Sequence, residues 1–317
     1  MSFSNTFNKM WCLFVCQLLI YAMGTSGTDL LLVTDKGISL YNTTTGDIRK
    51  LMLENELMIK EVDFHYRRNE VYGLTRRQII KCPLSNAQSY TYKPVVYSED
   101  EYNFMSMAID WVNDRLYWTA GPVFMIHKTT LNGSDHRVVF RGYYIENFHR
   151  KLLVDPYAKL LIWAASSTIY RSDLDGQDLQ EIRYPEVLGN VRAIVRNLAL
   201  DVTRGRLYFL AGFEDDDVWL LMSGRYDGSE FRRHDSVSRF TYSLTALGDD
   251  IYWVSKEFGE AKDHARDHTK RPHTIVLYKA SALVVGSQQK ILDLQTGAVW
   301  SMKICDAESQ GLLLSSA

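Results

Sequence analysis

A repeat of about 45 residues is the feature that most constrains the fold of this sequence. An apolar and aromatic segment recurs five times, as VYGL, LYWTA, LIWAA, LYFLA and IYWVS. The second residue of each copy is Tyr72, Tyr117, Ile162, Tyr208 and Tyr252, which gives steps of 45, 45, 46 and 44 residues. A period of this length predicts an array of small units that bury their cores against one another.

Each unit is predicted to contain four short strands. An apolar strand ending in aspartate precedes most aromatic segments, at Asp63, Asp110, Asp155 and Asp201. Downstream, turn dipeptides supply the positive φ that a hairpin needs, at Asn132-Gly133, Asp175-Gly176 and Asp227-Gly228. The segments are short, β-branched and aromatic, which disfavours a helical solenoid. A circular array covers the faces of such sheets without leaving long free edges, so we predict an all-β propeller.

The count of units predicts six blades and a shared first blade. Residues 30–52 supply three strands of a first blade but no innermost strand, whereas Val299 to Cys305 (VWSMKIC) follows the sixth unit. We therefore expect the C-terminal strand to complete the first blade and to close the ring without a covalent bond. The predicted blades are 29–54 plus 299–306, 60–97, 104–141, 150–184, 196–234 and 242–293.

The first residues have the pattern of a secretory leader. Lys9 precedes an apolar run from Trp11 to Met23 that is too short to span a bilayer comfortably, and Ala22 and Gly24 provide small residues for cleavage. We predict a signal peptide over 1–24 and a single secreted propeller over 25–317. The alternative is an uncleaved anchor.

The cysteines do not provide a disulfide framework. Cys12 and Cys16 would leave with the leader, so that Cys82 and Cys305 remain, either bridged or as two buried thiols. The 36 basic and 38 acidic residues give a net charge of -2, so no global field favours nucleic acid or an anionic membrane. The sequence has no nucleophile elbow, phosphate loop or metal-binding helix motif, and we expect no cofactor and no catalytic residue.

The residues around Tyr117 carry a family resemblance. The segment Leu116-Tyr117-Trp118-Thr119, with AIDW before it and LNGSDHRVV after it, resembles the YWTD repeat of low-density lipoprotein receptor relatives. The resemblance extends from Leu30 to about Asp306. It implies an extracellular propeller that binds protein ligands or packs against neighbouring modules, and that folds with the help of a family-type chaperone in the endoplasmic reticulum.

This chain departs from the family pattern at the aspartate that normally closes the motif. That position holds Ala120, Ala165, Ala211 and Ser255, and an aspartate remains only at Asp35 in the first blade.

The resemblance also implies a ligand face. In the Wnt co-receptors of this family, it lies where each blade's outer loop enters the next inner strand, together with the loop after the aromatic strand, and peptides carrying an Asn dock there. The position matching the docking asparagine is Arg196 here, and Arg76 or Arg77 replaces an expected acidic residue. Our candidate face is Lys36, Arg76, Arg77, Phe104, His149, Arg150, Arg192, Arg196, Tyr242 and Trp300. Arginines beside aromatic residues are typical of binding hot spots, and the alternative is a solvated surface.

Other features allow other interpretations. The acid run at 213–217 suggests a calcium site, and a zinc site is suggested by His264, His268 and His273. Neither set shows a fixed ligand geometry, and solvated loops are the default interpretation of both. A six-bladed hydrolase or lactonase would hold a metal with several acidic residues at the starts of the inner strands, whereas those starts offer Glu61 and Asn197 but no ring of carboxylates. A structural or decoy domain is the third alternative.

Two glycosylation sequons occur at predicted hairpins, Asn42-Thr43-Thr44 and Asn132-Gly133-Ser134. An unused turn is the alternative at each. The function that these features predict is a secreted, non-enzymatic module with an extracellular protein, peptide or receptor chain as its partner, and with no nucleic acid and no membrane span in the mature chain.

Overall fold

The chain forms a ring of six antiparallel sheets, each with four strands, in a computed structural model. The structure describes residues 28–35, 37–53, 57–84, 92–98, 103–121, 124–142, 151–165, 167–183, 193–213, 215–258, 273–294, 299–305 and 310. This architecture confirms the predicted all-β, six-bladed propeller.

The strands, in order from the innermost to the outermost of each blade, have the following bounds. Blade 1 contains β24 (Val299–Ile304), β1 (Asp29–Thr34), β2 (Gly37–Asn42) and β3 (Ile48–Leu53). Blade 2 contains β4 (Glu61–His65), β5 (Glu70–Leu74), β6 (Gln78–Pro83) and β7 (Lys93–Tyr97). Blade 3 contains β8 (Phe104–Asp110), β9 (Arg115–Ala120), β10 (Met125–Thr130) and β11 (Arg137–Arg141). Blade 4 contains β12 (Leu152–Asp155), β13 (Leu160–Ala165), β14 (Thr168–Asp173) and β15 (Gln180–Ile182). Blade 5 contains β16 (Ile194–Asp201), β17 (Arg206–Gly212), β18 (Val218–Arg225) and β19 (Arg232–Ser238). Blade 6 contains β20 (Thr241–Leu247), β21 (Asp250–Phe258), β22 (His273–Ser281) and β23 (Gln289–Leu294), and a 3-10 turn covers Tyr66–Arg68.

The C-terminal strand closes the ring as predicted. Strand β1 pairs with β2 on one side and with β24 on the other, with Leu30 opposite Ile304 and Leu32 opposite Met302. Beyond the ladder, the Cys305 N–H donates to the Asp29 carbonyl at 2.7 Å. The first blade therefore consists of both ends of the propeller chain.

The repeated second position of the aromatic segment fills the seam with the following blade. Its five residues are at most 1% exposed. Tyr72 of blade 2 shares a buried cluster with Ile109 and Trp118 of blade 3. The same sharing of a buried cluster occurs at the next four seams: Tyr117 packs with blade 4, Ile162 with blade 5, Tyr208 with blade 6 and Tyr252 with blade 1. The 45-residue repeat of the sequence therefore reflects the placement of one large buried side chain at each of these blade seams.

Side-chain hydrogen bonds link the inner strands at five of the six seams between described blades, and the channel-side edges of these strands have no β-partner. Glu61 accepts the Met107 N–H at 3.0 Å, and Asp63 accepts the Ile109 N–H at 2.9 Å. Equivalent bonds run to Ser106 from Leu152, to Asp201 from Gly248, to Ser243 from Met302, to Thr245 from Ile304 and to Ser301 from Val62. Buried N–H groups need hydrogen-bond acceptors, and the inner edge of each blade has no partner strand to provide them. These side chains supply the acceptors instead.

Hairpin glycines touch the outer strand region of the preceding blade. Gly133 and Gly176 have φ of 89° and 78°, and a Cβ there would lie 2.2 Å from the Val95 carbonyl oxygen and 2.0 Å from the Val139 carbonyl oxygen. Gly228 makes the same approach to Arg183, at 3.0 Å. Gly46, in the hairpin of blade 1, has φ of 77° but nothing within 4 Å of its Cβ position.

Cys82 and Cys305 are free thiols in one buried cluster at the seam of blades 1 and 2. Burial raises the pKa of Cys82 to about 11, so its thiol is protonated near neutral pH. The fold is therefore stabilised by packing and the hydrogen-bonded ring rather than by a disulfide between these two residues.

The upper face as a candidate binding site

We call upper face the end of the ring at which the innermost strands begin, and lower face the opposite end. Antiparallel order also places the connections between second and third strands, and the connections into the next blade, on the upper face. At the centre of this face lies a cavity of about 160 Å³. Its polar lining consists of Lys60, Glu61, Ser106, Lys151, Asn197, Tyr242, Ser243 and Ser301.

An ion pair crosses the mouth of the cavity. The Glu61 carboxylate is 6% exposed, receives the Met107 N–H with one oxygen and pairs through the other with the Lys151 amine of blade 4. The Lys151 amine therefore balances the negative charge of this buried carboxylate.

Asn197 has a distinct backbone on the wall of the cavity. It lies in a register shift of β16 with φ of 51°, and its amide nitrogen donates to the Thr241 carbonyl at 2.8 Å. This bond links blade 5 to the start of blade 6, next to Tyr242. The Tyr242 side chain is partly buried, and this burial raises its pKa. Tyr242 remains 37% exposed at the rim and stays a neutral hydroxyl.

Gln310 lies across the lower end of the channel. Its side-chain amide donates to the Phe64 carbonyl at 2.7 Å and accepts the Tyr66 N–H at 3.0 Å. Its own carbonyl accepts the Tyr157 hydroxyl at 2.8 Å, and the residue is 1% exposed. The cavity beside it measures about 30 Å³, close to the volume of one water molecule.

The structure separates the predicted ligand-face residues. Arg76 and Arg77 are exposed on the upper face, and the Arg76 guanidinium donates to the Asn103 side chain at 2.5 Å. Arg196 instead lies over the Trp219 ring at 4.6 Å. Phe104 is 5% exposed and packs against Trp118, so it belongs to the core. The other candidates lie outside the part of the chain that the structure describes, namely Lys36, His149, Arg150, Arg192 and the side chain of Trp300.

Sequence reasoning missed two cation–aromatic pairs at the seam of blades 5 and 6. The Arg239 guanidinium lies 4.9 Å from the Phe240 ring centre, and the Lys256 amine lies 5.1 Å from that of Phe258. The two phenylalanine rings meet edge to face at 4.8 Å. The adjacent letters Arg-Phe just before the sixth inner strand were the available signal. With Arg196 and Tyr242, these four residues form what we call the seam cluster.

The remaining candidates are placed as follows. Asp215, Asp216 and Asp217 are exposed, and Asp217 lies 3.6 Å from Arg239. His273 begins β22 and is exposed, whereas His264 and His268 are outside the described residues. Within the part of the chain that the structure places, no three His, Cys, Asp or Glu side chains come together as a possible metal site.

The two sequon asparagines differ in their amide contacts. The Asn42 amide nitrogen donates to Asp29 at 2.8 Å, and its oxygen accepts two N–H groups of the following turn. Asn132 is exposed at the tip of a blade 3 hairpin, and its oxygen accepts from Ser134. The residues of that hairpin with positive φ are Gly133 and Asp135, so Asn132 is not held in the left-handed region.

Comparison with known proteins supports the propeller fold. No protein-family model matches the chain. It is 33% identical over 114 residues to the proto-oncogene tyrosine-protein kinase ROS of Gallus gallus, covering 36% of this chain and 5% of that protein. It is 29% identical over 153 residues to the Homo sapiens low-density lipoprotein receptor-related protein 5-like protein, covering 47% of this chain and 56% of that one. The chain thus matches only part of each relative.

Similar solved structures include a chain of a nidogen/laminin complex, with a TM-score of 0.66, 13% identity and coverage of 89% of this chain and 99% of that one. TolB from Acinetobacter baumannii gives a TM-score of 0.65, 12% identity and coverage of 90% and 69%. An oligogalacturonate lyase in complex with manganese gives a TM-score of 0.54, 11% identity and coverage of 82% and 71%. At such identities the likeness shows the fold alone, and that fold occurs both in protein complexes and in an enzyme.

The described part of the chain has no helix with the length and hydropathy needed to cross a bilayer.

Proposed function

We propose that this chain is a secreted, non-enzymatic propeller that binds an extracellular protein or peptide through its upper face. The observation that carries the proposal is the polar cavity at the ring centre, which has Tyr242 of the seam cluster in its lining. Arginine and aromatic side chains are enriched in interface hot spots, and a partly desolvated pocket beside them is the geometry in which they contribute most.

The relatives support the same assignment. One similar structure is a nidogen/laminin complex, and one partial relative is a low-density lipoprotein receptor-related protein 5-like protein. We carry over from them an extracellular location and a protein partner. The proposal includes a leader over residues 1–24, which lie outside the described residues, a single domain over 25–317, and an endoplasmic reticulum chaperone during folding.

Glycosylation at Asn42 and Asn132 belongs to the same proposal. Asn132 fits better because it is exposed at a hairpin tip, whereas the Asn42 amide nitrogen is committed to Asp29. The predicted extracellular route would give both sequons access to the transferase.

A metal-dependent enzyme is the second candidate, since one similar structure is a lyase in complex with manganese. The two candidates differ in response to metal. Addition of manganese or calcium to purified, chelator-treated protein should leave its melting temperature unchanged if the chain is a binding module. A metal-dependent rise in Tm, or turnover of oligogalacturonate, ester or lactone substrates, would support the enzyme instead.

Affinity capture tests the binding function directly. Immobilised mature chain is exposed to conditioned medium, bound proteins are cross-linked, and their recovery is compared with that of a Tyr242→Ala variant. The control is Leu179→Ala, which removes a side chain that is 49% exposed on the lower face. Truncation of a hot spot costs about 2 kcal/mol or more, so we expect recovery of a true partner to fall roughly 30-fold at subsaturating concentration with Tyr242→Ala alone. Equal recovery of every captured protein by all three chains would refute the proposal.

A further inference from the structure

The upper cavity is lined by hydroxyl groups that retain a proton to donate. Ser106 and Ser301 are 1% and 3% exposed. Each hydroxyl oxygen accepts an inner-strand N–H of the next blade, from Leu152 at 2.9 Å and from Val62 at 3.4 Å. A serine hydroxyl that accepts in this way still has its own O–H. Both side chains line the cavity, so their protons are available to an occupant.

The charges of the cavity lining also favour an occupant that accepts hydrogen bonds and carries a negative charge. Lys60, Lys151 and Glu61 give the cavity a formal charge of +1, and the Glu61 oxygens are already engaged by the Met107 N–H and by Lys151. Among the described residues, no ion pair connects the exposed Lys60 amine to a carboxylate. The Asn197 side chain donates one N–H to the Thr241 carbonyl, and it offers its second N–H as a donor and its oxygen as an acceptor. Donors and positive charge therefore exceed acceptors.

The volume limits what can enter. About 160 Å³ leaves room for several ordered water molecules, since one of them needs roughly 10–15 Å³ of such space. This space suits one side chain together with ordered water. The neighbouring rim, with Tyr242, then supports the rest of a peptide that passes over the mouth.

We infer that the cavity selects a carboxylate side chain, an aspartate or glutamate of the partner, which Lys60 and the serine hydroxyls hold. This inference rests on the proposed binding function and specifies the chemistry of its central contact. It differs from what the family resemblance implies, which is an asparagine. An amide offers a donor group to a site that already has an excess of donors, whereas a carboxylate offers acceptors only.

A capped peptide library tests the inference without a known partner. The probes are acetylated and amidated nonapeptide pools with a central residue fixed as Asp, Glu, Asn, Gln or Ala and the other positions mixed. A further pool has Ala at the centre and a free C-terminal carboxylate. Retention on the immobilised mature chain is compared with retention on Lys60→Met, on Lys60→Arg and on Lys159→Met, which removes an exposed lysine of the lower face.

We expect the wild-type chain to retain the Asp or Glu pool about 10-fold better than the Asn, Gln and Ala pools, since hydrogen bonds to a charged group are strong. Lys60→Met should abolish this preference, while Lys60→Arg and Lys159→Met should keep it. Three outcomes would overturn the inference without contradicting the proposed binding function. They are retention without a carboxylate preference, an unchanged preference in Lys60→Met, and preference for the free C-terminus. Retention of no pool would overturn both.

Discussion

The glycine that contacts the preceding blade provides the sharpest test of how the blades pack. We consider Gly176→Ala beside Gly46→Ala. Both residues occupy hairpins with φ near 78°, so an alanine at either position incurs the same penalty for a left-handed backbone, about 1–2 kcal/mol. Only at Gly176 would the new Cβ also lie 2.0 Å from the Val139 carbonyl oxygen. At Gly46 nothing lies within 4 Å.

The size of the difference follows from that distance. A carbon and an oxygen in contact are normally about 3.3 Å apart, so the blade 4 hairpin must withdraw by roughly 1.3 Å from blade 3. Overpacking of this kind costs about 1–3 kcal/mol. We therefore expect Gly46→Ala to lose about 1–2 kcal/mol and Gly176→Ala about 2–5 kcal/mol of unfolding free energy.

Urea unfolding, followed by tryptophan fluorescence, measures both variants against the wild type. A lower midpoint with an unchanged slope would show that the native state has lost stability. The expected difference between the two variants is about 2 kcal/mol. Losses that agree within about 0.5 kcal/mol would refute the reasoning, because the close approach between blades would then have no energetic role.

Three further predictions concern acid stability, the lower seal and modification. Burial lowers the pKa of His234 to about 4, below its value of 6.5 in the unfolded chain, so its contribution to stability is unaffected above about pH 6.5 and declines as pH falls towards 4. We expect a loss of up to about 3 kcal/mol, measured by urea midpoints across pH 7 to 4, and a shallower loss in His234→Gln. Gln310→Ala should lower the unfolding free energy by about 1–3 kcal/mol, because it leaves two backbone groups of blade 2 without partners, and an unchanged thermal midpoint would contradict this. On chain secreted from mammalian cells, Asn132→Gln should remove one step of the gel shift that endoglycosidase produces, whereas an identical shift would place no glycan there.

The architecture was accessible from the sequence because one large residue per period fills each blade seam. The spacing of Tyr72, Tyr117 and Tyr208 therefore records a physical repeat, and counting strands was enough to assign Val299–Ile304 to the first blade. The blade limits were less accessible. Strand β19 continues to Ser238, beyond the predicted limit of 234, since nothing in its polar sequence distinguishes a long outer strand from a loop.

The candidate site was accessible only in part. Position along the repeat indicated Arg76 and Tyr242 as ligand-face candidates, and both lie on the upper face, but it could not distinguish the buried Phe104 from an exposed aromatic residue. The contact between the Phe240 and Phe258 rings depends on how the connection into blade 6 meets the end of β21, and such geometry has no sequence period. Gln310 lies in a segment without any repeat pattern, so its place across the channel could be found only in three dimensions.

The closure of blade 1 by β24 also determines when during synthesis the ring can form. Strand β1 ends at Thr34, and its missing neighbour begins at Val299, 265 residues later. At about 5–20 residues per second, translation leaves the β1 edge unpaired for roughly 13–50 s. During that interval a bare apolar edge is available to any other unpaired strand. The nascent chain therefore has to be shielded or kept apart from its own copies until β24 emerges.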